Sequence, residues 1–239
     1  MKALATLTFA GLLLPFSSVA EPLPYRAIYE AKALGMTAEA SRTQTRSPEG
    51  VFVLENRLSL TILGANVGTA VETSEFTVNG NSVIAQHYHY DQTGISSSQE
   101  TIDFDWSAQK AQSRSDDGSW SFDLTPGILD KLSYSVQLSM DLRESSTSLF
   151  RFQVLDEDEI KQHDYQILGE EELHTGVGTL KTVKIERVRD DDSQRRTTVW
   201  LAPEWDFLLI RLEQVSRNGT STELQLESAT VDGRSVAGH

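Results

Sequence analysis

Cysteine is absent from this 239-residue sequence. Its absence excludes a disulfide scaffold, a cysteine nucleophile, a cysteine-containing metal site and a lipid-bearing N-terminal cysteine. Basic residues are scarce, since 21 Lys and Arg stand against 35 Asp and Glu, and the net charge is −14. So acidic a chain argues against binding nucleic acid or anionic lipid headgroups, because both attract clustered Lys and Arg.

Long apolar runs are missing beyond the first twenty residues. There, Lys2 precedes an apolar stretch from Leu4 to Phe16, and Ser18-Val19-Ala20 supplies the small residues of a cleavage site. We expect residues 1–20 to be a removed signal peptide, with an uncleaved anchor as the alternative, and residues 21–239 to form one domain. The signal predicts export to the periplasm, with secretion into the medium as the alternative. No later run approaches the roughly 20 apolar residues of a membrane-spanning helix.

Motifs of common enzymes are missing as well. The sequence contains neither Gly-x-Ser-x-Gly, which marks a serine nucleophile, nor the phosphate-binding Gly-x-Gly-x-x-Gly. Acidic runs at residues 156–159 and 190–192 lack the spacing of a calcium-binding loop and read as solvated loops. We therefore expect a protein that is not an enzyme and that needs no cofactor.

Turn signals between alternating segments dominate the rest of the chain. Asn79-Gly80, Asp117-Gly118 and Asn218-Gly219 each separate two such segments and predict β-hairpins. Apolar and polar residues alternate in Tyr25–Ala31 and again in Leu224–Leu226. A period of two indicates antiparallel strands with one solvated face. The protein is therefore predicted to be mainly β.

One segment has a helical period instead. Between Gly127 and Arg143, apolar residues recur at spacings of mostly three to four, at Ile128, Leu129, Leu132, Val136 and Met140. Thr125-Pro126 suits the start of a helix, with Thr125 as N-cap. We expect one amphipathic helix from Gly127 to Arg143 that covers an opening or a face of the sheet.

A possible metal site lies on one predicted strand. His87, His89 and Asp91 share a face because side chains alternate along a strand. Two imidazoles and a carboxylate are a ligand set for catalytic Zn²⁺, which makes a metal-assisted hydrolase of the cell envelope an alternative function. The other interpretation is a solvated polar face opposite Tyr88 and Tyr90, which pack.

Three motifs occur in an order that resembles a known family. They are Leu129–Ser133 with Leu142-Arg143, then Thr175–Leu180 after Glu171 or Glu172, then Arg196–Pro203 running on to Leu209–Leu212. This set resembles the exported bacterial proteins catalogued as domain of unknown function 3108. The resemblance implies no catalytic residues. It implies a periplasmic antiparallel β protein, similar in outline to the open half-barrels that carry lipoproteins or other lipids.

We therefore expect a large curved antiparallel sheet or open half-barrel with one amphipathic helix packed on it or in it. The predicted function is a non-enzymatic periplasmic binding or envelope-assembly protein that holds a hydrophobic small molecule or an envelope protein in a groove. A purely structural interaction module with a filled groove is a further alternative. The candidate groove residues, for which core packing is the competing role, are Trp106, Trp120, Leu132, Val136, Met140, Trp200 and Phe207.

Overall fold

A computed structural model describes residues 21–33, 35–94, 96–144, 146–189 and 195–239. The predicted signal over residues 1–20 and the acidic run at 190–192 lie outside the described residues. The described parts contain sixteen β-strands, one α-helix and a 3₁₀ turn at Pro203–Trp205. The helix α1, Ser133–Glu144, has 12 residues, and no described helix has the length and apolar character to cross a membrane.

The strands account for most of the described chain. They are β1 (Tyr25–Ala33), β2 (Met36–Arg46), β3 (Phe52–Ile62), β4 (Ala65–Asn79), β5 (Ser82–Gly94), β6 (Ser98–Asp105), β7 (Lys110–Ser115), β8 (Gly118–Asp123), β9 (Ile128–Leu129), β10 (Leu149–Asp156), β11 (Glu159–Thr175), β12 (Gly178–Val188), β13 (Arg196–Ala202), β14 (Leu208–Val215), β15 (Ser221–Val231) and β16 (Arg234–Ser235).

All the described strands belong to one open sheet. Strands β1 to β8 follow one another as antiparallel neighbours, and β10 to β15 do the same. Strand β1 pairs with β15 and so joins the two halves, while β8 and β9 form the two edges. Only the short pairing of β9 with β10 is parallel among the described strands. This architecture confirms the predicted mainly β fold, with a large open sheet and one helix.

The predicted hairpins are present, with small shifts at the turns. Asn79 pairs with Ser82, so Gly80 and Asn81 form the loop between β4 and β5. Gly80 has a φ of 58°, which glycine adopts without steric cost. In the β7–β8 hairpin the loop residues are 116 and 117, because Gly118 already pairs with Ser115. The dipeptide signals therefore located the turns to within one residue.

The predicted start of the helix is wrong. Ile128 and Leu129 form β9, and Thr125 does not cap α1, since its carbonyl accepts a bond from the Ile128 N–H at 3.3 Å. Both β9 residues are buried, and a buried pair of apolar residues fits a helical stripe and a short strand equally well. The helix proper begins at Ser133 and extends one residue beyond the predicted end at Arg143.

The true helix start is set by a buried aspartate. Oδ1 of Asp130 accepts hydrogen bonds from the backbone N–H groups of Leu132 and Ser133, both at 2.8 Å. Oγ of Ser133 accepts the Asp130 N–H at 3.0 Å, which completes a reciprocal capping box. Oδ2 of Asp130 accepts the Ser74 hydroxyl of β4 at 2.7 Å. The cap therefore also fixes the helix to the sheet.

The apolar side chains form two core clusters. The first joins buried residues of α1, including Val136 and Met140, to strands such as β4 and β6 through Phe76 and Ile102. We call the sheet face that packs on α1 the inner face. The second cluster gathers residues of β1, β13 to β15 and the β11–β12 hairpin, with Tyr29 among its fully buried members.

Substitution Asp130→Ala is expected to lower the free energy of unfolding by about 2–4 kcal/mol, because it removes an N-cap and leaves the buried Ser74 hydroxyl without its acceptor. Urea denaturation at neutral pH measures this loss. Asp130→Asn is the matched control, since asparagine also caps helices, and it should lose less than half as much. An unchanged midpoint for Asp130→Ala would contradict the role of the cap.

The loss of folding stability at acidic pH should depend on His163. This residue of β11 is buried, and its ring meets the ring of Tyr134 edge-on. Burial, assisted by nearby Arg187, lowers the pKa of His163 to about 4. The unfolded chain then binds more protons between about pH 6.5 and 4, so stability falls as the pH drops through that window. Thermal unfolding of His163→Phe should show a smaller loss of Tm between pH 7 and pH 4.5 than wild type. An equal loss would show that His163 is not responsible, and His174→Phe, at an exposed site, is the control.

Candidate ligand-binding cavity

A cavity of about 130 Å³ lies between α1 and the inner face of the sheet. Its apolar lining comes from α1, β13, β14 and the turn before β14. Those residues are Val136, Leu138, Val199, Leu201, Trp205, Phe207, Leu208, Leu209 and Leu212. The volume approaches the roughly 150 Å³ of engineered apolar cavities that bind benzene. It suits a small apolar group or the end of an acyl chain.

One rim of the cavity is held by an ion pair at the end of α1. The Arg143 guanidinium lies 2.6 Å from Oδ1 of Asp206, and neither side chain is more than one-fifth exposed. Oδ2 of Asp206 accepts the backbone N–H of Leu23 at 3.1 Å. Burial raises the pKa of Asp206, while Arg143 and the Leu23 N–H act against the shift. The helix end, the turn before β14 and the N-terminal segment therefore meet at one carboxylate.

Unusual backbone geometry accompanies the two aromatic residues, Trp205 and Phe207, that line the cavity. Asp206 and Phe207 have φ values of 61° and 55°, which non-glycine residues seldom adopt. They follow the 3₁₀ turn at Pro203–Trp205 and precede β14. Trp205 and Phe207 both line the cavity. Backbone strain of this kind persists only where the surroundings fix it, and here the Arg143–Asp206 pair does so.

Polar groups converge on the other side of the cavity. Arg42 of β2 donates from Nε to the Tyr25 hydroxyl at 2.8 Å, from Nη1 to Oδ1 of Asn56 at 3.1 Å, and from Nη2 to Oγ of Ser135 at 2.5 Å. Arg42, Tyr25 and Ser135 all line the cavity. Because Ser135 belongs to α1 and Arg42 to β2, this arginine connects the helix to the sheet.

A cluster of aromatic rings supports the same wall. Tyr134 of α1 stacks on Tyr165 of β11 with 5.7 Å between ring centroids, and the Tyr165 hydroxyl donates to the Tyr134 oxygen at 3.0 Å. Phe152 packs against both rings. Burial raises the pKa of Tyr165, so its hydroxyl stays protonated at neutral pH. The cavity therefore has a rigid aromatic support beside α1.

Four of the seven predicted groove residues lie in α1, just before α1, or in the turn before β14. Val136 and Phe207 line the cavity. Leu132 and Met140 are buried in the first core cluster, where they hold α1 against the sheet. These four residues therefore divide between the cavity lining and its support.

The three predicted tryptophans lie elsewhere. Trp106 stacks on Phe104 and donates its indole N–H to the Ala85 carbonyl at 2.7 Å. Trp120 is on the edge strand β8. Trp200 donates to Glu171 at 3.0 Å and has the cationic groups of two cross-strand neighbours over its ring. It points to the opposite face from Val199, which lines the cavity.

The predicted metal ligands do not converge in the structure. Nδ1 of His87 lies 2.8 Å from Asp103 and Oδ1 of Asp91 accepts from Gln99 at 2.9 Å, so each has a different partner. Among the described residues, no three His, Cys, Asp or Glu side chains come close enough together to hold a metal ion. Tyr88 is fully buried on the other face of β5, as the polar-face interpretation of this strand requires.

A second, polar cleft of about 350 Å³ contains paired charges. Lys131 forms ion pairs with Glu100 and Asp156, and its ammonium lies 5.2 Å from the centroid of the Tyr88 ring. Burial raises the pKa of Glu72, which accepts the Tyr88 hydroxyl at 2.7 Å. The charge of Lys131 is therefore compensated by carboxylates beside this cleft, and Glu72 is bound by a tyrosine.

The chain is similar to one protein family in sequence and to solved proteins in structure. The profile of the family "Protein of unknown function (DUF3108)" matches residues 25–227. No curated protein matches the chain. A beta-barrel-like protein of the domain of unknown function DUF1849 from Brucella abortus has a TM-score of 0.59 at 10% identity, over 89% of this chain and 99% of that chain. A Parabacteroides distasonis protein described as a "putative lipoprotein" gives a TM-score of 0.34 at 14% identity, over 87% and 95% of the two chains.

Trp205 should report occupancy of the cavity, because it is the one tryptophan among the lining residues. Titration with 8-bromo-1-octanol is expected to quench the emission of wild type and of Trp106→Phe, since bromine quenches indole only at short range. Quenching should be largely lost in Trp205→Phe. Equal quenching in Trp205→Phe and wild type would place the bound alcohol outside this cavity.

Proposed function

Because the chain belongs to the DUF3108 family, whose description names no activity, we propose a function from the cavity itself. The protein is a non-enzymatic binding protein of the cell envelope that holds the apolar part of a small ligand beneath α1. The periplasmic location in this proposal comes from the signal predicted over residues 1–20. The likeness to the Brucella protein supports the β-barrel-like fold alone.

The cavity with its largely apolar wall is the observation that carries the proposal. Val199, Leu209 and Leu212 from two strands line it together with Val136 and Leu138 from α1. Burying apolar surface contributes about 25 cal/mol per Å², so an inserted alkyl chain gains from the hydrophobic effect. A purely structural module would fill this space with its own side chains. The cavity therefore favours a ligand-binding protein over that alternative.

The size of the cavity limits how much of a ligand is enclosed. A space of about 130 Å³ accepts only part of a long acyl chain. The remainder, or the head of the molecule, must then lie toward the rim. Such a site suits a protein that takes up and releases its ligand. Because the ligand is only partly enclosed, less apolar surface has to return to water when the ligand leaves.

Filling the cavity with a larger side chain is expected to weaken ligand binding. Isothermal titration calorimetry with 1-octanol should show binding to wild type with a negative heat-capacity change, which marks apolar burial. Val199→Phe places a ring in the cavity and should weaken octanol binding by about tenfold or more, which corresponds to losing the burial of about two methylene groups.

Val188→Phe is the matched control, because the same substitution is made at an exposed position of β12. It should bind octanol as wild type does. Far-ultraviolet circular dichroism and thermal unfolding verify that both variants fold. Octanol binding to Val199→Phe with wild-type affinity, or no binding to any variant or wild type, would contradict the proposed function.

A further inference from the structure

We propose that the ligand is an amphiphile with one carboxylate head, a fatty-acid anion, and that Arg42 binds this head. The inference rests on the proposed function and names the class of ligand for the same cavity. Its basis is the charge of Arg42 and the hydrogen-bonding groups around it.

Arg42 carries a positive charge within the cavity wall, and its hydrogen-bond partners in the described part of the chain are all neutral. Its three hydrogen bonds go to the Tyr25 hydroxyl, the Asn56 amide and the Ser135 hydroxyl. Among the described residues, no carboxylate oxygen lies within ion-pairing distance of its guanidinium. Arginine remains protonated in proteins, and a cation withdrawn from water is costly unless an anion compensates it. The site therefore favours a negatively charged group.

Other cations near α1 do form ion pairs with carboxylates. Lys131 has Glu100 and Asp156 as partners, and Arg143 has Asp206. The chain has 35 acidic residues for 21 basic ones. An arginine at a cavity that lacks a carboxylate partner is therefore a specific feature of this site.

On the inner face, Asn56 lies between Arg42 and the acidic residue Glu72. Asn56 lies opposite Arg42 in the register of β2 and β3, and Glu72 lies opposite Asn56 in that of β3 and β4. The Asn56 amide donates to Glu72 at 3.3 Å. Two strand spacings amount to roughly 10 Å, so Glu72 does not neutralise Arg42 by direct contact. The other carboxylate oxygen of Glu72 accepts the Tyr88 hydroxyl.

Donors remain available for both oxygens of a carboxylate. A guanidinium has five N–H groups, and the three bonds above leave two for a ligand. The Tyr25 oxygen accepts from Arg42, so its own proton is free to be donated. The Ser135 proton is used, since it bonds the Leu132 carbonyl at 2.6 Å. Arg42 and Tyr25 together therefore form a receptor for one anionic head beside the apolar wall.

A singly charged head fits better than a phosphate. Arg42 supplies one unpaired positive charge, and Arg143, the other arginine of the lining, is paired with Asp206. A phosphate monoester carries close to two negative charges at neutral pH. Its second charge would face a protein whose net charge is −14. Octyl phosphate is therefore expected to bind more weakly than octanoate.

The test compares ligands that share an alkyl chain and differ in the head. Calorimetry at pH 7.5 should give wild type a dissociation constant for octanoate about tenfold or more below that for 1-octanol, as expected for charge-assisted hydrogen bonds. In Arg42→Gln the ratio of the two constants should fall to near one. Arg42→Lys should keep part of the preference, because it keeps the charge without the planar fork. Arg57→Gln, at an exposed arginine of β3, should bind as wild type does.

Each outcome decides between the two proposals. Failure of both octanoate and octanol to bind wild type overturns the proposed function and this inference with it. Equal binding of the two leaves the proposed function standing and overturns the carboxylate head, as does tighter binding of octyl phosphate. Where Arg42→Gln does not fold, Tyr25→Phe decides: a reduced preference for octanoate supports the inference, and an unchanged preference contradicts it.

Discussion

The buried carboxylate of Asp130 is the contact on which the arrangement of this protein depends. One oxygen caps the first turn of α1, and the other accepts the Ser74 hydroxyl of β4. A helix of 12 residues is marginal by itself in water, so its position has to come from tertiary contacts. The cap fixes the N-terminal end of α1 on the inner face, and the Arg143–Asp206 pair fixes the other end. The cavity is the space left between a helix held at its ends and the open sheet beneath it.

Polar contacts under α1 explain why apolar side chains do not fill that space. At the cavity, Ser135 of α1 meets Arg42, which also donates to the Tyr25 hydroxyl at 2.8 Å. Such groups require fixed directions and distances, whereas apolar packing tolerates adjustment. The helix therefore rests partly on directional bonds. A charged arginine with spare donors prevents the adjoining wall from collapsing into an ordinary core.

The sequence predicts the β architecture because its signals are local. Alternation and Asn-Gly or Asp-Gly pairs depend on neighbouring residues, and the hairpins appear where they indicate. The predicted start of α1 is wrong because Ile128 and Leu129 are both buried, which hides the difference between a strand and a helix. The cap itself has a sequence signal, Asp130-x-x-Ser133, which lies within the first of the three motifs that resemble the family.

The cavity was harder to predict, because it depends on which strands meet across the sheet. Because large aromatic residues often line binding grooves, the sequence favours Trp106, Trp120 and Trp200 as groove residues. Trp205 is the one tryptophan that lines the cavity. A usable signal existed in β2, where Arg42 shares its alternating face with the buried Ala40 and Gln44. A charged residue at an inward position marks a functional site more sharply than an aromatic one. That no carboxylate of the described residues pairs with it is a tertiary property that no local pattern contains.

The most direct test is a crystal structure of the protein with 8-bromooctanoate, in which anomalous scattering locates the bromine. We expect a bromine peak among Val199, Leu209 and Leu212, with the carboxylate in hydrogen-bond contact with Arg42 and the Tyr25 hydroxyl. A bromine peak on the outer surface, or a carboxylate directed away from Arg42 into solvent, would contradict it.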